Sequence, residues 1–351
     1  MRLLLLTTDA YGGHGGIALF NRELAAALVA RADVEEVVII PRVVPSPNAH
    51  LIPERVTFVA DAAKGALAYT KAIANARRQR FDFVLCGHVN LLPVAFALSR
   101  KPVLITHGIE AWQPLHSLLS RALLRRTRAI ISVSAVTRDR LLAWSHYTGP
   151  TFVLPNAVHL EEYGIRARRR DLVERYKLEG KRVLLTVGRL DARERTKGFD
   201  EVLEVLPSLP DDVVFMIAGG GSDFERLQKK ALTLGVGDRV IFTGLFDEED
   251  KPDLYNLAHA YVMPSRGEGF GFVFLEALAS GVPAIGSRLD GGREALLDGQ
   301  LGALVDPDDR DELRDAILAA LDRKERVVPE GLDFFAFEHF VERVSAIIDR
   351  L

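Results

Sequence analysis

Short runs of Leu, Ile and Val alternate with amphipathic stretches along the whole chain. Continuous apolar runs are typical of strands buried on both faces of a parallel sheet, and amphipathic stretches between them are typical of crossover helices. In the first half, the predicted strands are residues 2–8, 34–41, 81–87, 102–108 and 129–134. In the second half they are residues 182–188, 213–219, 239–244, 260–265 and 282–287. The pattern therefore predicts an α/β protein with two parallel sheets.

A polar, charge-dense stretch at 155–181 separates the two groups of strands. The length of 351 residues fits roughly two domains. We expect two Rossmann-like domains that face each other across a cleft, with residues 1–165 forming the first and 166–336 the second. An amphipathic helix over 337–351 is expected to pack back on the first domain.

The composition is that of an ordinary globular protein, with 48% hydrophobic and 26% charged residues. Cys86 is the only cysteine, which suits a reducing compartment, and no apolar run is long enough to cross a bilayer. The apolar N-terminus lacks a small-residue cleavage site, so we expect a buried first strand rather than a signal peptide. These features predict a cytoplasmic protein.

Charge is distributed unevenly along the chain. The formal net charge of −3 is the sum of +8 over residues 1–160 and −11 over residues 161–351. A basic first half is consistent with an anionic partner, although charges on solvated faces explain the asymmetry equally well.

The ends of the predicted strands carry most of the candidate chemistry, because ligands of open parallel sheets bind outside the carboxyl ends of the strands. After the first strand, a glycine-rich turn that includes Gly15 and Gly16 precedes a helix at 17–31, where backbone N–H groups can approach an anion. The spacing differs from the dinucleotide-binding fingerprint. A tight turn without a ligand is the alternative.

Two long cations follow the strand at 182–188. Arg189 and Lys197 lie before a helix that begins near Gly198, where a planar guanidinium and an ammonium suit a pyrophosphate. The alternative is a solvated run of charges. Gly244, Leu245 and Phe246 follow the strand at 239–244 and can present backbone groups to a flat base, or can simply connect two elements.

The stretch at 265–287 holds two glutamates in an otherwise apolar segment. Glu268 lies between glycines, which allow the backbone to approach a ligand closely, and Glu276 follows about one turn into the next helix. The N–H groups of Phe270, Gly271 and Phe272 belong to the N-terminus of that helix. Carboxylates accept hydrogen bonds from sugar diols. A capping carboxylate and a surface glutamate are the alternative interpretation.

Other chemistry receives little support. His88 and His107 stand at strand ends, where histidines are usually structural. Asp306 and Asp308 lie in a turn, and the sequence contains neither a zinc-binding H-E-x-x-H nor a serine elbow nor a P-loop. The sequence therefore predicts no metal site and no cofactor.

Taken in order, the motifs GGHGGI, THGIE, PNAV, GRL…RTKG, FTG and EGFGFVFLE resemble those of the retaining glycosyltransferases of family 4, which have the GT-B fold. The resemblance covers essentially the whole chain, and Glu268 and Glu276 match the family's Glu-x7-Glu signature. It implies a metal-independent reaction in which the leaving phosphate accepts the acceptor's proton.

The resemblance also implies roles for individual residues. Arg189 and Lys197 would hold the donor diphosphate, Glu268 the donor sugar, Glu276 the ribose, and His107 would lie near the anomeric centre. The catalytic residues would be His107, Glu268, Arg189 and Lys197. The donor-binding residues would be Gly15, Gly16, Gly244, Leu245, Phe246, Phe270, Gly271, Phe272 and Glu276. The segment 290–296 is assigned no role beyond shaping the cleft.

The expected reaction moves a hexose from a nucleotide-sugar to a saccharide or lipid-linked saccharide acceptor, in cell-surface polysaccharide or glycolipid synthesis. A UDP-sugar is favoured over GDP-mannose, and nucleic acid is not an expected partner. The basic stretch 117–129 predicts a helix that either lies on anionic lipid at the inner membrane face or is simply solvated. Its arginines are Arg121, Arg125, Arg126 and Arg128.

Other protein classes remain as alternatives to this enzyme. A non-catalytic glycosyltransferase-like partner protein would keep the fold but lose the phosphate cations or the glutamate pair, and both are present. A dinucleotide oxidoreductase would need the glycine spacing that the first turn lacks.

Overall fold

The computed structural model describes residues 1–13, 15–43 and 48–351. The chain divides into two compact units. The N-terminal unit comprises Met1–Ala157 together with Phe337–Leu351, and the C-terminal unit comprises Val158–Ala336.

The N-terminal unit contains a seven-stranded sheet with the order β3-β2-β1-β4-β5-β6-β7. All its strand pairs are parallel. The strands are β1 Arg2–Thr7, β2 Glu36–Pro41, β3 Val56–Phe58, β4 Phe83–Cys86, β5 Val103–Thr106, β6 Ala129–Ser132 and β7 Thr151–Val153. The helices are α1 Gly16–Ala30, α2 Ala66–Ala76, α3 Leu92–Leu98, α4 Ile109–Trp112, α5 Leu118–Leu124, α6 Ala135–Ser145 and α14 Phe337–Asp349.

The core of the N-terminal unit lies on both faces of this sheet. Residues Leu3–Leu6 of β1 are fully buried at its centre. Helices α1 and α14 pack together, with the rings of Phe20 and Phe340 in an edge contact at 6.0 Å. Arg31, which directly follows α1, also pairs with Asp349 on α14 at 2.8 Å. Residues 337–349 are therefore an integral part of this unit.

The C-terminal unit contains a six-stranded sheet with the order β10-β9-β8-β11-β12-β13, again with all pairs parallel. The strands are β8 Arg182–Val187, β9 Val213–Ala218, β10 Val240–Gly244, β11 Ala260–Met263, β12 Ala284–Ser287 and β13 Ala303–Val305. The helices are α7 Arg170–Arg175, α8 Phe199–Val205, α9 Phe224–Thr233, α10 Lys251–Leu257, α11 Phe272–Ala279, α12 Gly292–Ala295 and α13 Arg310–Leu321.

Short 3₁₀ helices complete the two units. They lie at Ala49–Leu51, Ala60–Lys64, Val89–Leu91, Leu160–Glu162, Leu206–Ser208, Gly237–Arg239, Glu248–Asp250, Leu297–Gly299 and Glu330–Phe335. Among the residues that the structure describes, no helix combines the length and the apolar character needed to cross a membrane.

The predicted α/β class with two parallel sheets is confirmed, and each of the ten predicted strands is present. Strands β3, β7 and β13 were missed. All three are three-residue strands at sheet edges, where partial exposure removes the continuous apolar run that marks a central strand. The helix predicted over 117–129 is shorter than expected, because α5 ends at Leu124 and the chain then enters β6.

Candidate active site

The loop that follows β8 carries the two predicted phosphate cations. Its first cation, Arg189, is 67% exposed and pairs with Glu194 of the same loop at 3.3 Å. The loop ends at Gly198, which has φ of 80° and precedes α8. A Cβ atom there would lie 2.7 Å from the carbonyl oxygen of Pro264, the residue after β11. Glycine therefore allows the loops after β8 and β11 to pack in direct contact.

Lys197, the second cation, forms an ion pair with Glu268. The side chains are 27% and 15% exposed, so the pair is largely shielded from water. Burial disfavours the charged ammonium, but the negative charge of Glu268 and its hydrogen bond outweigh burial and raise the pKa of Lys197. Two residues 71 positions apart thus form one charged pair at the carboxyl end of the sheet.

The backbone around Glu268 is held by Asp290, which the sequence analysis missed. The Asp290 carboxylate is fully buried. Its Oδ2 accepts hydrogen bonds from the Glu268 N–H and the Ser265 hydroxyl, each at 2.8 Å, and its Oδ1 accepts one from the Gly292 N–H at 3.0 Å. The loops after β11 and β12 are thereby joined through one side chain.

Helix α11 begins directly after this loop. Its N-cap, Gly271, has φ of 98°. Phe270 and Phe272 are 1% and 8% exposed, so this turn is buried in the chain. The first N–H groups of a helix have no acceptor within the helix and carry a partial positive charge. The backbone of this loop is therefore suited to accept an anion or sugar hydroxyls.

Glu276 lies on α11 and is 3% exposed, so the interpretation as a surface glutamate is wrong. Its Oε1 accepts a hydrogen bond from the Lys251 ammonium and its Oε2 one from the Tyr255 hydroxyl, each at 2.6 Å. Lys251 and Tyr255 are four residues apart on α10 and so share one face, a spacing that sequence reasoning did not connect with Glu276. An ionised carboxylate keeps further lone pairs for other donors.

The segment after β10 is open to solvent. Gly244 has φ of 70°, and the side chain of Leu245 is 88% exposed. Leu245 and Phe246 line a cavity of about 430 Å³ together with Arg175 and Tyr176. The predicted base-binding segment is thus accessible within its own unit.

His107, in the N-terminal unit, follows β5. Its Nε2 lies 2.9 Å from the carbonyl oxygen of Gly87, which only accepts, so Nε2 carries the proton and Nδ1 is left as an acceptor. Its ring packs edge-on against Phe20 at 5.1 Å. Burial lowers the pKa of His107, although the carboxylate of Glu110 opposes this. The imidazole is therefore neutral near pH 7.

Gly15 and Gly16 lie at the N-terminus of α1, after β1 of the same unit. Gly15 is the N-cap residue and Gly16 the first residue of the helix, and both are exposed. Their carboxyl-end position and exposure are those of a backbone anion site.

The structure thus brings Lys197 and Glu268 into contact, and Arg189 stands in the same loop as Lys197. Glu276, on helix α11, lies in a separate buried cluster with Lys251 and Tyr255. His107, Gly15 and Gly16 belong to the N-terminal unit. Among the described residues, no group of three or more His, Cys, Asp or Glu side chains is arranged to hold a metal ion.

Two parallel-sheet units with candidate binding residues at the carboxyl ends of their strands are typical of the GT-B class of glycosyltransferases. Two family models match the chain: Glycosyltransferase Family 4 over residues 14–162 and Glycosyl transferases group 1 over residues 168–328. The chain belongs to this glycosyltransferase family, as its motifs suggested.

Relatives with known names support the same assignment. The chain is 34% identical over 238 residues to a GDP-mannose-dependent alpha-(1-6)-phosphatidylinositol monomannoside mannosyltransferase of Mycolicibacterium smegmatis, covering 62% of this chain and 60% of that protein. It is 30% identical over 255 residues to a phosphatidyl-myo-inositol mannosyltransferase of Mycobacterium tuberculosis, covering 69% and 65%. The matched segments span about three fifths of these relatives' length.

A solved structure shares the fold over the full length. The crystal structure of HepE from Anabaena in complex with UDP and glucose superposes with a TM-score of 0.78, covers 100% of both chains and is 20% identical. At this identity the likeness establishes the fold.

Proposed function

We propose that this chain is a retaining, metal-independent glycosyltransferase that moves a hexose from a nucleotide-sugar to a lipid-linked saccharide or saccharide acceptor. The observation that carries the proposal is the shielded Lys197–Glu268 pair at the carboxyl end of the C-terminal sheet, next to the N-terminus of α11. A cation, a carboxylate and a helix N-terminus together match a sugar joined to a diphosphate.

In this proposal the cations act on the leaving group. Lys197 and Arg189 bind the diphosphate and stabilise the negative charge that grows on it as the glycosidic bond breaks. Fixed charges aimed at developing charge usually supply the largest part of catalysis. Because each cation pairs with a carboxylate, the donor phosphates replace Glu194 at Arg189 and share Lys197 with Glu268.

The remaining groups orient the donor and the transferred sugar. Glu268 and the backbone of Phe270 and Gly271 bind sugar hydroxyls, and Glu276 accepts from the ribose with its remaining lone pairs. Backbone groups of Gly244, Leu245 and Phe246 face the base, and the Phe272 N–H adds to the helix terminus.

The N-terminal unit contributes neutral groups. By the resemblance to the family, Gly15 and Gly16 would offer N–H groups to the phosphates, and neutral His107 would meet the transferred sugar near its anomeric carbon. The leaving phosphate oxygen accepts the proton of the attacking acceptor hydroxyl on the same face of the sugar, which retains the configuration. No side chain needs to form a covalent intermediate.

For the donor, GDP-mannose is the first candidate. The sequence favoured a UDP-sugar, and HepE binds UDP, but that similarity is at 20% identity. The relative from M. smegmatis, at 34% identity, is named as GDP-mannose-dependent. Sequence similarity of this degree carries more weight for substrate than a shared fold does.

The acceptor is proposed to be lipid-linked, as the names of both mycobacterial relatives indicate for those proteins. The surface around α5 supports contact with anionic lipid: Leu118 and Leu119 are 76% and 59% exposed. Arg126 follows the helix and is exposed, whereas the Arg125 Nε donates to the Ser145 carbonyl at 2.9 Å. The ring of Phe83 covers the Arg128 guanidinium at 5.1 Å. Apolar side chains beside a cation suit the membrane interface.

The proposed function is tested by sugar transfer from a donor panel. Radiolabelled GDP-mannose, UDP-glucose, UDP-galactose and UDP-N-acetylglucosamine are each incubated with the chain and membrane lipid extract, with and without EDTA. We expect one base series to support transfer to lipid, unchanged by EDTA, with an α-linked product from an α-linked donor. Absence of transfer and of nucleotide binding would leave a non-catalytic partner protein as the explanation.

The membrane contact is tested separately with vesicles that contain anionic lipid. We expect the chain to sediment with them at low salt, and the Leu118→Asn, Arg126→Ala double variant to remain in solution. The matched control is Leu67→Asn, which changes a leucine that is 85% exposed on α2 of the same unit. Equal sedimentation of all three proteins would contradict this contact.

A further inference from the structure

The carboxylate of Asp290 is buried, which is unfavourable unless other contacts compensate. It is fully inaccessible to solvent, and it lies after β12, on the loop that leads to α12. Buried carboxylates are rare unless they are paired with a cation or accept several hydrogen bonds. Asp290 accepts hydrogen bonds from Ser265, Glu268 and Gly292.

Two of these three bonds come from the loop that carries Glu268. The Ser265 hydroxyl and the Glu268 N–H both donate to Oδ2 of Asp290 at 2.8 Å. Ser265 is itself fully buried. The carboxylate thus holds both the first part of this loop and the backbone of the residue whose side chain pairs with Lys197.

Backbone contacts close the same junction from the other side. The Gly291 N–H donates to the Glu268 carbonyl oxygen at 2.8 Å. A Cβ atom on Gly291 would lie 2.0 Å from the carbonyl oxygen of Gly269, so the two loops touch with no room for a side chain. Glu268 is therefore fixed at its N–H group by Asp290 and at its carbonyl oxygen by Gly291.

The charge of Asp290 also reaches the ion pair. Burial and the nearby carboxylate of Glu268 raise the pKa of Asp290 to about 7, while the hydrogen bonds from Glu268, Ser265 and Gly292 oppose the rise. In its ionised form, Asp290 in turn favours the ammonium form of Lys197. The group that holds the loop is thus electrostatically linked to both members of the pair.

We propose that Asp290 is a positioning residue of the donor site, which fixes the backbone of Glu268 and thereby the place at which Glu268 and Lys197 meet a bound nucleotide-sugar. The inference rests on the proposed function for its effect on the donor. Asp290 is buried beneath the loop and acts through Glu268. Its loss would leave the cations and the helix N-terminus present but the sugar-binding carboxylate free to shift.

The hold on the loop is tested without any donor, by hydrogen exchange of the backbone amides in residues 265–271. We expect Asp290→Ala to speed exchange of the Glu268 amide by about tenfold, which corresponds to an opening that is about 1.4 kcal/mol easier. Asp290→Asn keeps the shape and one acceptor oxygen, so an intermediate rate is expected. Ser265→Ala removes one donor only and tests the same junction if the Asp290 variants fold poorly.

The matched control is Asp298→Asn, which changes an exposed carboxylate that pairs with Arg293 in the same unit. We expect exchange in residues 265–271 to equal that of the unchanged chain. An unaltered Glu268 amide in Asp290→Ala, Asp290→Asn and Ser265→Ala would overturn the proposal, as would equally fast exchange throughout the C-terminal unit.

The effect on the donor is read from steady-state kinetics with the nucleotide-sugar that the unchanged chain uses. A misplaced Glu268 should raise KM for the donor about tenfold in Asp290→Ala, with partial recovery in Asp290→Asn. A merely structural role would lower the amount of active protein, and so kcat, at constant KM, which would overturn the proposal. If the unchanged chain transfers no sugar, the proposed function fails, and the exchange experiment still decides the role of Asp290.

Discussion

The carboxyl ends of the two sheets differ in chemistry although both follow the same α/β plan. In the C-terminal unit, the strand-end loops hold a cation–carboxylate pair, Lys197 and Glu268, above a buried acid, Asp290. In the N-terminal unit, the corresponding ends hold a glycine turn and a neutral histidine, His107. The C-terminal unit therefore offers fixed side-chain charges at its strand ends, whereas the N-terminal unit offers backbone N–H groups and a neutral imidazole.

This difference leads to an expectation for mutations in each unit. Changes at the charged loops should alter donor affinity and turnover together, because in the proposed function the same groups meet the diphosphate in the ground state and in the transition state. Changes at His107 should alter turnover with little effect on donor affinity.

The largest expected effect is that of Lys197→Ala. It removes the cation from the leaving group and leaves the Glu268 carboxylate without its partner, so we expect kcat/KM for the donor to fall by about 10²–10³. Steady-state kinetics measures kcat/KM for the donor, and calorimetric titration measures the binding of the nucleoside diphosphate. The control Lys229→Ala removes an exposed lysine of α9 and should leave both unchanged. A loss below tenfold would mean that the charged edge is not the donor site.

Next in size is the pH dependence of stability that Asp290 causes. The folded chain keeps the Asp290 proton up to about pH 7, whereas the unfolded chain releases it near pH 4. Between these values the folded state binds more protons, so the free energy of unfolding falls as pH rises, by at most about 1.4 kcal/mol per pH unit. Chemical unfolding at pH 5, 6 and 7 measures the slope.

Asp290→Asn removes this titration and should make the pH profile of unfolding flatter than that of the unchanged chain. Asp298→Asn is the control and should keep the original slope, since that carboxylate is exposed. Identical slopes in all three proteins would show that Asp290 ionises normally.

A smaller effect is expected for His107→Gln. The glutamine amide keeps a donor for the Gly87 carbonyl but removes the imidazole ring, so we expect kcat to fall about tenfold, the value of one lost contact. The dissociation constant of the donor, from titration, should stay within about twofold. His116→Gln changes an exposed histidine of the same unit and serves as control. Weaker donor binding with unchanged kcat would mean that His107 acts in donor binding and not in turnover, which would contradict the role assigned to the N-terminal unit.

The smallest expected effect is an increase in donor affinity. Glu194→Gln removes the carboxylate that pairs with Arg189, so donor phosphates no longer displace it. Exposed pairs contribute little, and the donor should therefore bind up to about fivefold more tightly. Glu225→Gln on α9 is the matched control. Weaker binding in Glu194→Gln would indicate that Glu194 positions Arg189 rather than competing for it.

The central strands and the position of two cations at a strand end were visible in the sequence because each depends on a local pattern. The apolar run of β1 and the placement of Arg189 and Lys197 after β8 need no knowledge of distant residues. Asp290 could not be found in this way, since its role depends on contact with Glu268, 22 positions earlier. A buried acid in a turn looks the same in sequence as an exposed one.

The environment of Glu276 shows the same limit. Its spacing from Glu268 was visible, but its burial depends on α10, where Lys251 and Tyr255 share a face. The edge strand β13 was missed for a related reason, because partial exposure weakens the apolar pattern on which strand prediction relies.

The packing of α14 on α1 has a consequence for how the chain acquires its structure during synthesis. The ribosome makes residues 158–336 before it makes 337–349. The N-terminal unit therefore lacks helix α14 until the whole C-terminal unit has been synthesised. During that interval the face of α1 around Phe20 lacks its partner Phe340. A fragment that ends at residue 157 would leave that face of α1 exposed. The N-terminal unit therefore depends on a segment that is synthesised after the C-terminal unit.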